Sequence, residues 1–135
     1  MNATNSAALL YLWDRRTLFL GALSEHMELS QAAATLVIGL DQAFVLESAG
    51  QPVSCRSALL PAGSRVALQA GNNRLVVWYL DPFGQDFAQL RGRMHEQAGL
   101  FVALPDESLW IERHLALLED GATPVHAYSL IEQLV

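Results

Sequence analysis

The residues with the clearest potential for metal chemistry are a histidine and two glutamates in the segment SEHMELS. His26 stands between Glu25 and Glu28, and imidazole together with carboxylate oxygen suits first-row divalent metal ions that keep open positions for a substrate. The segment also has the polar character of a loop, and polar residues in a loop are more often simply solvated. We therefore predict that the chain binds no metal and carries no cofactor.

The other candidates for catalysis are three further histidines and one cysteine. His95, His114 and His126 have no serine, cysteine or second histidine at a convincing catalytic spacing. Cys55 lies in the strand-like segment PVSCRSALL and is expected to pack as a small apolar residue. The sequence contains no nucleophile elbow, glycine-rich phosphate loop or HExxH motif. We predict that the chain is not an enzyme, while a site assembled from distant strands stays open.

The first half of the chain has the pattern of short strands separated by turns. Eight runs are rich in β-branched, aromatic or aliphatic residues, namely 9–13, 17–20, 35–40, 44–48, 53–56, 58–60, 66–70 and 75–80. Turn-forming pairs such as Ala49–Gly50 and Ala62–Gly63 separate them. This pattern predicts an antiparallel sandwich or small barrel. Residues 24–33 fit a loop, a helical turn or an irregular strand.

A barrel of eight strands either fills its interior with side chains or holds one small ligand. The residues that could line such a pocket are Trp13, Gln31, Thr35, Arg65 and Trp78. Alternate residues of a strand face opposite sides of the sheet, so the strand register decides which of them point inward. The two tryptophans could instead fill the core, and Arg65 could lie on the surface.

From Phe83 onward the apolar residues recur with the period of a helix. Phe83, Phe87, Leu90, Met94 and Ala98 lie on one face of a predicted helix that Gly99 would end. A second helix is predicted from Asp106 to Glu119, and a third from Pro124, with Thr123 as its N-cap, to Val135.

The second helix carries the predicted dimer interface. Its apolar stripe contains Trp110, Leu117 and Leu118, with His114 in line. Two-fold dimers are the commonest oligomers, and we predict a homodimer built mainly by this helix, with Trp110, Leu117 and Leu118 as anchors and His114 in the same interface. Packing of the same stripe within the chain is the alternative.

Composition and charge exclude several classes of protein. Hydrophobic residues make up 52% of the 135 residues and charged residues 16%, which is not the composition of a disordered chain. The net charge is −6, no lysine is present, and Arg15–Arg16 and Arg91/Arg93 fit solvated turn or helix faces, so this segment is not expected to bind nucleic acid. The sequence shows neither a membrane-spanning run nor a signal peptide. We expect a cytoplasmic protein without membrane association.

Three segments, TLVIGLDQAFVLES, SALLPAGSRVAL and NRLVVWYLDP, follow one another in the first half of the chain. In order and spacing they resemble the N-terminal cupin-type domain of AraC-family transcriptional regulators, over about residues 10–82. The resemblance implies a cupin-like double-stranded β-helix barrel that senses a small molecule, followed by helices that dimerise and then by a helix-turn-helix region that binds DNA. From Gly121 onward only 15 residues remain, too few for that last region.

The same resemblance bears on metal binding. Related sensor domains often carry an H-x-H-like group before the third strand and a histidine after the proline of the sixth. In this chain the first place holds Ser30, Gln31 and Ala32, and the second holds Arg65 and Val66. Because neither place holds a histidine in this chain, the comparison with these sensor domains implies a barrel without metal ligands.

The sequence thus predicts a mainly β chain with one domain over residues 1–135, comprising a cupin-like barrel over 8–82 and two to three helices over 83–135. The predicted function is that of an effector-sensing and dimerisation domain of an AraC-like regulator, which reaches DNA through a region outside this chain. The alternatives are a stand-alone metal-free cupin enzyme, such as an isomerase or lyase, and a ligandless barrel for protein association. The chain is expected to be an excised domain, with a natural stand-alone protein as the alternative, and the identity of the effector stays open.

Overall fold

The structure is a computed structural model that describes residues 9–13, 16–22, 26–30, 32–120 and 124–135. Eleven strands and three helices lie in these ranges. The strands are β1 (Leu9–Leu12), β2 (Arg16–Ala22), β3 (His26–Ser30), β4 (Ala34–Gly39), β5 (Phe44–Ser48), β6 (Gln51–Cys55), β7 (Ser57–Leu60), β8 (Arg65–Gln69), β9 (Arg74–Leu80), β10 (His95–Gln97) and β11 (Leu100–Val102). The helices are α1 (Gln85–Arg93), α2 (Glu107–Asp120) and α3 (Pro124–Leu134).

The strands form two antiparallel sheets. The larger sheet has the order β1-β2-β9-β4-β7-β11-β10, and the smaller has the order β3-β8-β5-β6. Consecutive strands from β2 to β9 are divided between the two sheets in the order of a jelly roll, the eight-stranded arrangement found in cupins. The predicted fold class, a mainly β cupin-like barrel followed by C-terminal helices, is confirmed. Strand β3 falls in the stretch 24–33 that the sequence left open.

The central strands of the larger sheet are buried on both faces, and this explains why they are almost continuously apolar. One face meets the smaller sheet, where Val37, Val77 and Leu60 pack against Phe44, Leu46 and Leu68. The other face meets the helices, where Leu36, Ile38 and Trp78 pack against Trp110, Leu117 and Ile131. Alternation along each strand therefore divides its side chains between a barrel core and a sheet–helix core.

The first predicted helix is shorter than its periodicity indicated. Helix α1 ends at Arg93, and Phe83 lies outside it with 95% of its surface exposed. The following residues form a hairpin of β10 and β11, whose two-residue loop is Ala98–Gly99 with φ of 53° and 81°. Two successive positive φ values are typical of a type I′ turn, which matches the twist of antiparallel strands. The prediction that residues 83–98 are one helix was wrong, and Gly99 closes a hairpin.

Helix α2 is fixed to the larger sheet at its first turn. Leu109 N–H and Trp110 N–H both donate to the carbonyl of Asp106. The hydroxyl of Ser57 on β7 donates to the carboxylate of Glu107 and accepts from the N–H of Leu104 at 2.9 Å. An acidic residue in a first turn is also favourable for the helix dipole. None of the three described helices is long and apolar enough to cross a membrane.

Candidate functional site

Side chains fill the interior of the barrel in the described part of the chain. Thr35 points into this interior and is 1% exposed, and the gap beside it, lined by Leu29, Leu60 and Ser64, has no room for a water molecule. Cys55 packs against the same core, and burial raises the pKa of its thiol to about 12. The thiol therefore stays protonated at neutral pH and is not an activated nucleophile.

The five predicted pocket residues do not come together in the barrel. Arg65 lies exposed at the start of β8, which corrects its prediction as a pocket residue. The reason is the alternation of that strand, in which the neighbouring Val66 faces the smaller sheet's core. Gln31 lies outside the described residues. Trp78 is fully buried on the opposite face of the larger sheet from Thr35, beneath the helices.

Trp13 and Trp78 do meet, but outside the barrel. Their rings stack with centroids 5.7 Å apart and planes 16° apart. Trp13 also stacks on Tyr11, again at 5.7 Å, and meets the ring of Tyr128 edge-on at 5.5 Å. These contacts hold the Trp13 indole in one orientation at the border between the larger sheet and helix α3.

His114 is a buried structural histidine. Its Nε2 accepts a hydrogen bond of 3.0 Å from the indole Nε1–H of Trp78, and its Nδ1 lies 2.7 Å from the carbonyl oxygen of Trp110. Acceptance at Nε2 assigns the proton to Nδ1, which then donates to that carbonyl. Burial lowers the pKa of His114 to about 4, so the ring is neutral at pH 7.

The side chains that were predicted to form the dimer interface pack within their own chain. Trp110, His114 and Leu117 are 2%, 0% and 6% exposed in the single chain and pack on the larger sheet. Leu118 is half-buried against the same core. The prediction that these four residues form the dimer interface is corrected, because three of the four side chains are already covered by their own chain.

Arg16, at the first residue of β2, has the most elaborate polar environment near Trp13. The N–H of Trp13 donates to the carbonyl of Arg16 at 2.9 Å. Arg16 Nε and Nη2 donate to the two carboxylate oxygens of Asp86 on α1 at 2.6 and 2.8 Å, and Nη2 also donates to Glu132 on α3 at 2.8 Å. The guanidinium carbon stands 4.8 Å from the ring centroid of Tyr128. One arginine therefore joins the larger sheet to two helices.

One nitrogen of Arg16 is left over from this arrangement. The side chain is 10% exposed, and its Nη1 is buried without a hydrogen-bond partner. Burial alone would lower the pKa of Arg16, but the hydrogen bonds to Asp86 and Glu132 outweigh it and raise the pKa above its ordinary value. Nη1 therefore belongs to a charged group, and buried donors of charged groups are seldom left unpaired in folded proteins.

Arg16 stands between two neighbouring clefts. The first, which we name the Trp13 cleft, has a volume of about 410 Å³ and is lined by Trp13, Arg16, Thr17, Ala33, Tyr79 and Pro82, together with Asp81. The second, the Phe83 cleft, has a volume of about 440 Å³ and is lined by Arg16, Asp81, Phe83, Gln85, Asp86 and Tyr128. Both volumes fall within the range of small-molecule sites.

The other residues that could bind a metal ion or take part in catalysis do not come together in a site within the described part of the chain. Within the described ranges, no three histidine, cysteine, aspartate or glutamate side chains are placed to hold a metal ion. For the predicted group around His26, Glu25 lies outside the described residues and Glu28 is exposed on β3. Asp81, which borders both clefts, accepts a hydrogen bond of 3.0 Å from the N–H of Phe83.

Sequence reasoning missed Arg16 by assigning it to a solvated turn. Its carboxylate partners lie 70 and 116 residues away along the chain, so no local spacing marks the group. One signal for Arg16 was present in the sequence. Arg16 stands at the start of an apolar strand, and two aromatic residues, Tyr11 and Trp13, come shortly before it.

Comparisons with known proteins give weak similarities of fold. No model of a protein family matches the chain, and no curated protein matches it significantly. Similar solved structures include the EutQ protein of Clostridium difficile (13% identity, 62% of this chain and 77% of that one, TM-score 0.45) and a cupin superfamily protein of Desulfitobacterium hafniense (21%, 60% and 84%, 0.45). A cupin-2 domain protein of Shewanella frigidimarina has 8% identity over 57% of this chain and 81% of that one, with a TM-score of 0.46. With TM-scores below 0.5, these likenesses carry no argument, and the jelly-roll assignment rests on the strand order of the chain itself.

Proposed function

We propose that this chain is the effector-sensing domain of an AraC-like transcriptional regulator, and that its small-molecule site is the Trp13 cleft outside the barrel. The observation that carries the proposal is the Trp13 cleft of about 410 Å³, whose lining includes Arg16, the residue that joins the larger sheet to helices α1 and α3. A small molecule in this cleft would lie beside the ion pairs that hold both helices to the sheet.

The position of Arg16 suits a sensor. The same guanidinium binds Asp86 on α1 and Glu132 on α3, so a ligand that contacts Arg16 from the cleft changes the interactions that hold both helices to the sheet. A conformational response requires that the ligand interact differently with two states, and Arg16 offers such a difference. The proposal contains no catalysis, because the acids that border the clefts, Asp81 and Asp86, are engaged by Phe83 N–H and by Arg16.

The remaining parts of this function rest on the sequence resemblance. We propose that DNA is bound through a helix-turn-helix region outside this chain, that the domain works in the cytoplasm, and that it forms a homodimer. Because three of the four predicted interface residues are buried within their own chain, a second copy would have to contact other residues.

A thermal-shift screen with a library of neutral, anionic and cationic small molecules tests the sensing proposal. A true effector raises the unfolding temperature in a concentration-dependent manner. The matched control is Ala33→Phe, which fills the Trp13 cleft with a ring and leaves the ion pairs of Arg16 in place. A hit that loses its effect in this variant supports the site, and a hit that keeps it shows binding elsewhere.

The filled interior of the barrel favours a second candidate function, a ligandless module for protein association. Such a module needs no cavity, and the screen separates the two functions. If no compound of any charge class shifts the unfolding temperature of the wild-type protein, the sensing proposal is wrong and the ligandless module is retained.

A further inference from the structure

We infer that this chain forms a two-fold dimer in which strand β1 pairs with the same strand of a second copy. The inference rests on the homodimer of the proposed function and names its surface, whatever the Trp13 cleft binds. It depends on three features of β1: an open edge, an apolar and uncharged surface, and a register in which the strand matches itself.

Strand β1 has an open edge. It is the terminal strand of the larger sheet, and in the described part of the chain it pairs with β2 alone. The N–H of Trp13 donates to the carbonyl of Arg16, and in an antiparallel ladder the residues that bond to the neighbouring strand alternate with residues whose N–H and C=O point away from it. Tyr11 therefore also bonds to β2, and the backbone groups of Leu10 and Leu12 point outward from the edge of the sheet.

The side chains of the same two leucines are exposed. Leu10 is 62% exposed and Leu12 is 71% exposed, whereas Tyr11 between them is 7% exposed. Strand β1 contains no charged residue, glycine or proline. Folded proteins seldom leave such an edge bare, because its backbone groups can pair with another strand. A further strand is therefore the structure that fits this edge.

The other edge strands in the described ranges carry residues that hinder pairing. Strand β10 consists of the exposed polar residues His95, Glu96 and Gln97. Strand β3 has the exposed Glu28 at its centre, and strand β6 has Pro52, which lacks an N–H. Charged residues and proline are common means of blocking an edge. Among these described edges, β1 alone is without such a residue.

Charge and register favour a second copy of the chain as the partner. Each copy has a net charge of −6, so two copies repel each other least where they meet at a surface without carboxylates. Antiparallel pairing of β1 with itself, with Tyr11 opposite its counterpart, places Leu10 opposite Leu12 of the second copy. Because both leucines have outward backbone groups, about four hydrogen bonds form across the two-fold axis. The exposed leucines of both copies then lie together on one face of a continuous sheet and cover one another.

Light scattering over a concentration series tests the dimer, because pairing of two short strands belongs to the weak class of interfaces, below about 1,200 Å². The mass of the wild-type protein should rise from monomer to dimer. Leu12→Glu places a carboxylate opposite Leu10 of the second copy and should raise the dissociation constant at least about tenfold. Val125→Glu, at a position on helix α3 that is 75% exposed, is the matched control and should stay within about twofold of the wild type.

Leu12→Pro and hydrogen exchange test the backbone pairing. The outward N–H of Leu12 takes no part in the pairing of β1 with β2, so proline removes hydrogen bonds of the dimer alone and should weaken it at least about tenfold. The amides of Leu10 and Leu12 should be protected in the dimer and should exchange faster on dilution. The amides of Tyr11 and Trp13, which bond to β2, should stay protected in both states. If Leu12→Pro does not fold, Leu12→Glu supplies the test, since it leaves the backbone unchanged.

The outcomes separate this inference from the function on which it rests. A dimer that Leu12→Glu leaves unchanged overturns the β1 interface and leaves the proposed homodimer standing on another surface. Dissociation by Val125→Glu alone would also overturn it and would place the interface on helix α3. A wild-type protein that stays monomeric at every concentration overturns both the interface and the homodimer, and the thermal-shift screen then decides the sensing proposal by itself.

Discussion

The indole Nε1–H of Trp78 donates a 3.0 Å hydrogen bond to Nε2 of His114, across the boundary between the larger sheet and helix α2. Both side chains are fully buried, and the other ring nitrogen of His114 is bonded to the Trp110 carbonyl. The bond fixes the neutral tautomer of the histidine and anchors helix α2 over the centre of the sheet. His114, which the sequence predicts in a dimer interface, therefore stabilises the single chain.

Stability should fall in acid because of His114. The ordinary pKa of 6.5 applies in the unfolded chain, whereas burial lowers the pKa to about 4 in the folded protein. Above about pH 6.5 neither state is protonated and the full stability is present. As the pH falls from about 6.5 to 4 the unfolded state takes up the proton first, so the free energy of unfolding decreases by up to about 3 kcal/mol.

The measurement is the urea midpoint between pH 4 and 7 for the wild-type protein and His114→Gln. Glutamine can still accept from Trp78 and donate to Trp110, but it does not titrate. The difference between wild type and variant should therefore change with pH over this window. His95→Gln, at an exposed position, is the control and should follow the wild type. Parallel curves for wild type and His114→Gln would contradict the assignment.

The ion pairs of Arg16 should contribute unequally to stability. Arg16→Met leaves the partly buried carboxylate of Asp86 without its partner and should cost about 3 kcal/mol, as measured for broken buried pairs. Glu132→Gln should cost less than about 1 kcal/mol, because that side chain is 55% exposed. Asp86→Asn should fall between them, since Arg16 keeps Glu132. Urea unfolding of the three variants checks the order, and an equal cost for Glu132→Gln and Asp86→Asn would contradict it.

The hairpin loop Ala98–Gly99 should respond to substitution as a type I′ turn. Ala98 has φ of 53°, a region that asparagine tolerates better than alanine. Ala98→Asn should therefore raise the free energy of unfolding by about 0.5 kcal/mol, while Gly99→Ala at φ of 81° should lower it by about 1 kcal/mol. Ala88→Asn, at an exposed position in helix α1, is the control and should slightly destabilise. A destabilising Ala98→Asn would argue against this turn.

The two Ala-Gly loops show where the sequence pattern was sufficient and where it was ambiguous. Ala49–Gly50 stands between two alternating apolar runs and was predicted as a turn, and its φ values of 52° and 78° are close to those of Ala98–Gly99. Ala98–Gly99 follows residues with helical spacing, and a glycine there fits a helix end equally well. The strands of the barrel could be predicted because alternation and turn residues are local.

The candidate site could not be predicted in the same way. Trp13 was expected to line a pocket, and it does border a cleft, but the prediction placed that pocket inside the barrel. The register puts Trp78 on the helix face of the sheet and Thr35 on the barrel face. The partners of Arg16 come from two helices distant in sequence, so its role depends on tertiary packing that no local motif specifies.

Leu117 and Leu109 on helix α2 should respond differently to a charge. Leu117 is 6% exposed and packs on the larger sheet, so Leu117→Glu buries an unpaired carboxylate and should destabilise the chain by more than about 3 kcal/mol. Leu109 is 38% exposed, so Leu109→Glu should change the free energy of unfolding by no more than about 0.5 kcal/mol. Urea unfolding checks both values, and light scattering of the wild-type protein and both variants at matched concentration reports their molecular masses. If Leu117→Glu keeps the wild-type stability and lowers the mass to that of a monomer, then Leu117 faces a second copy and the intramolecular packing described for helix α2 is wrong.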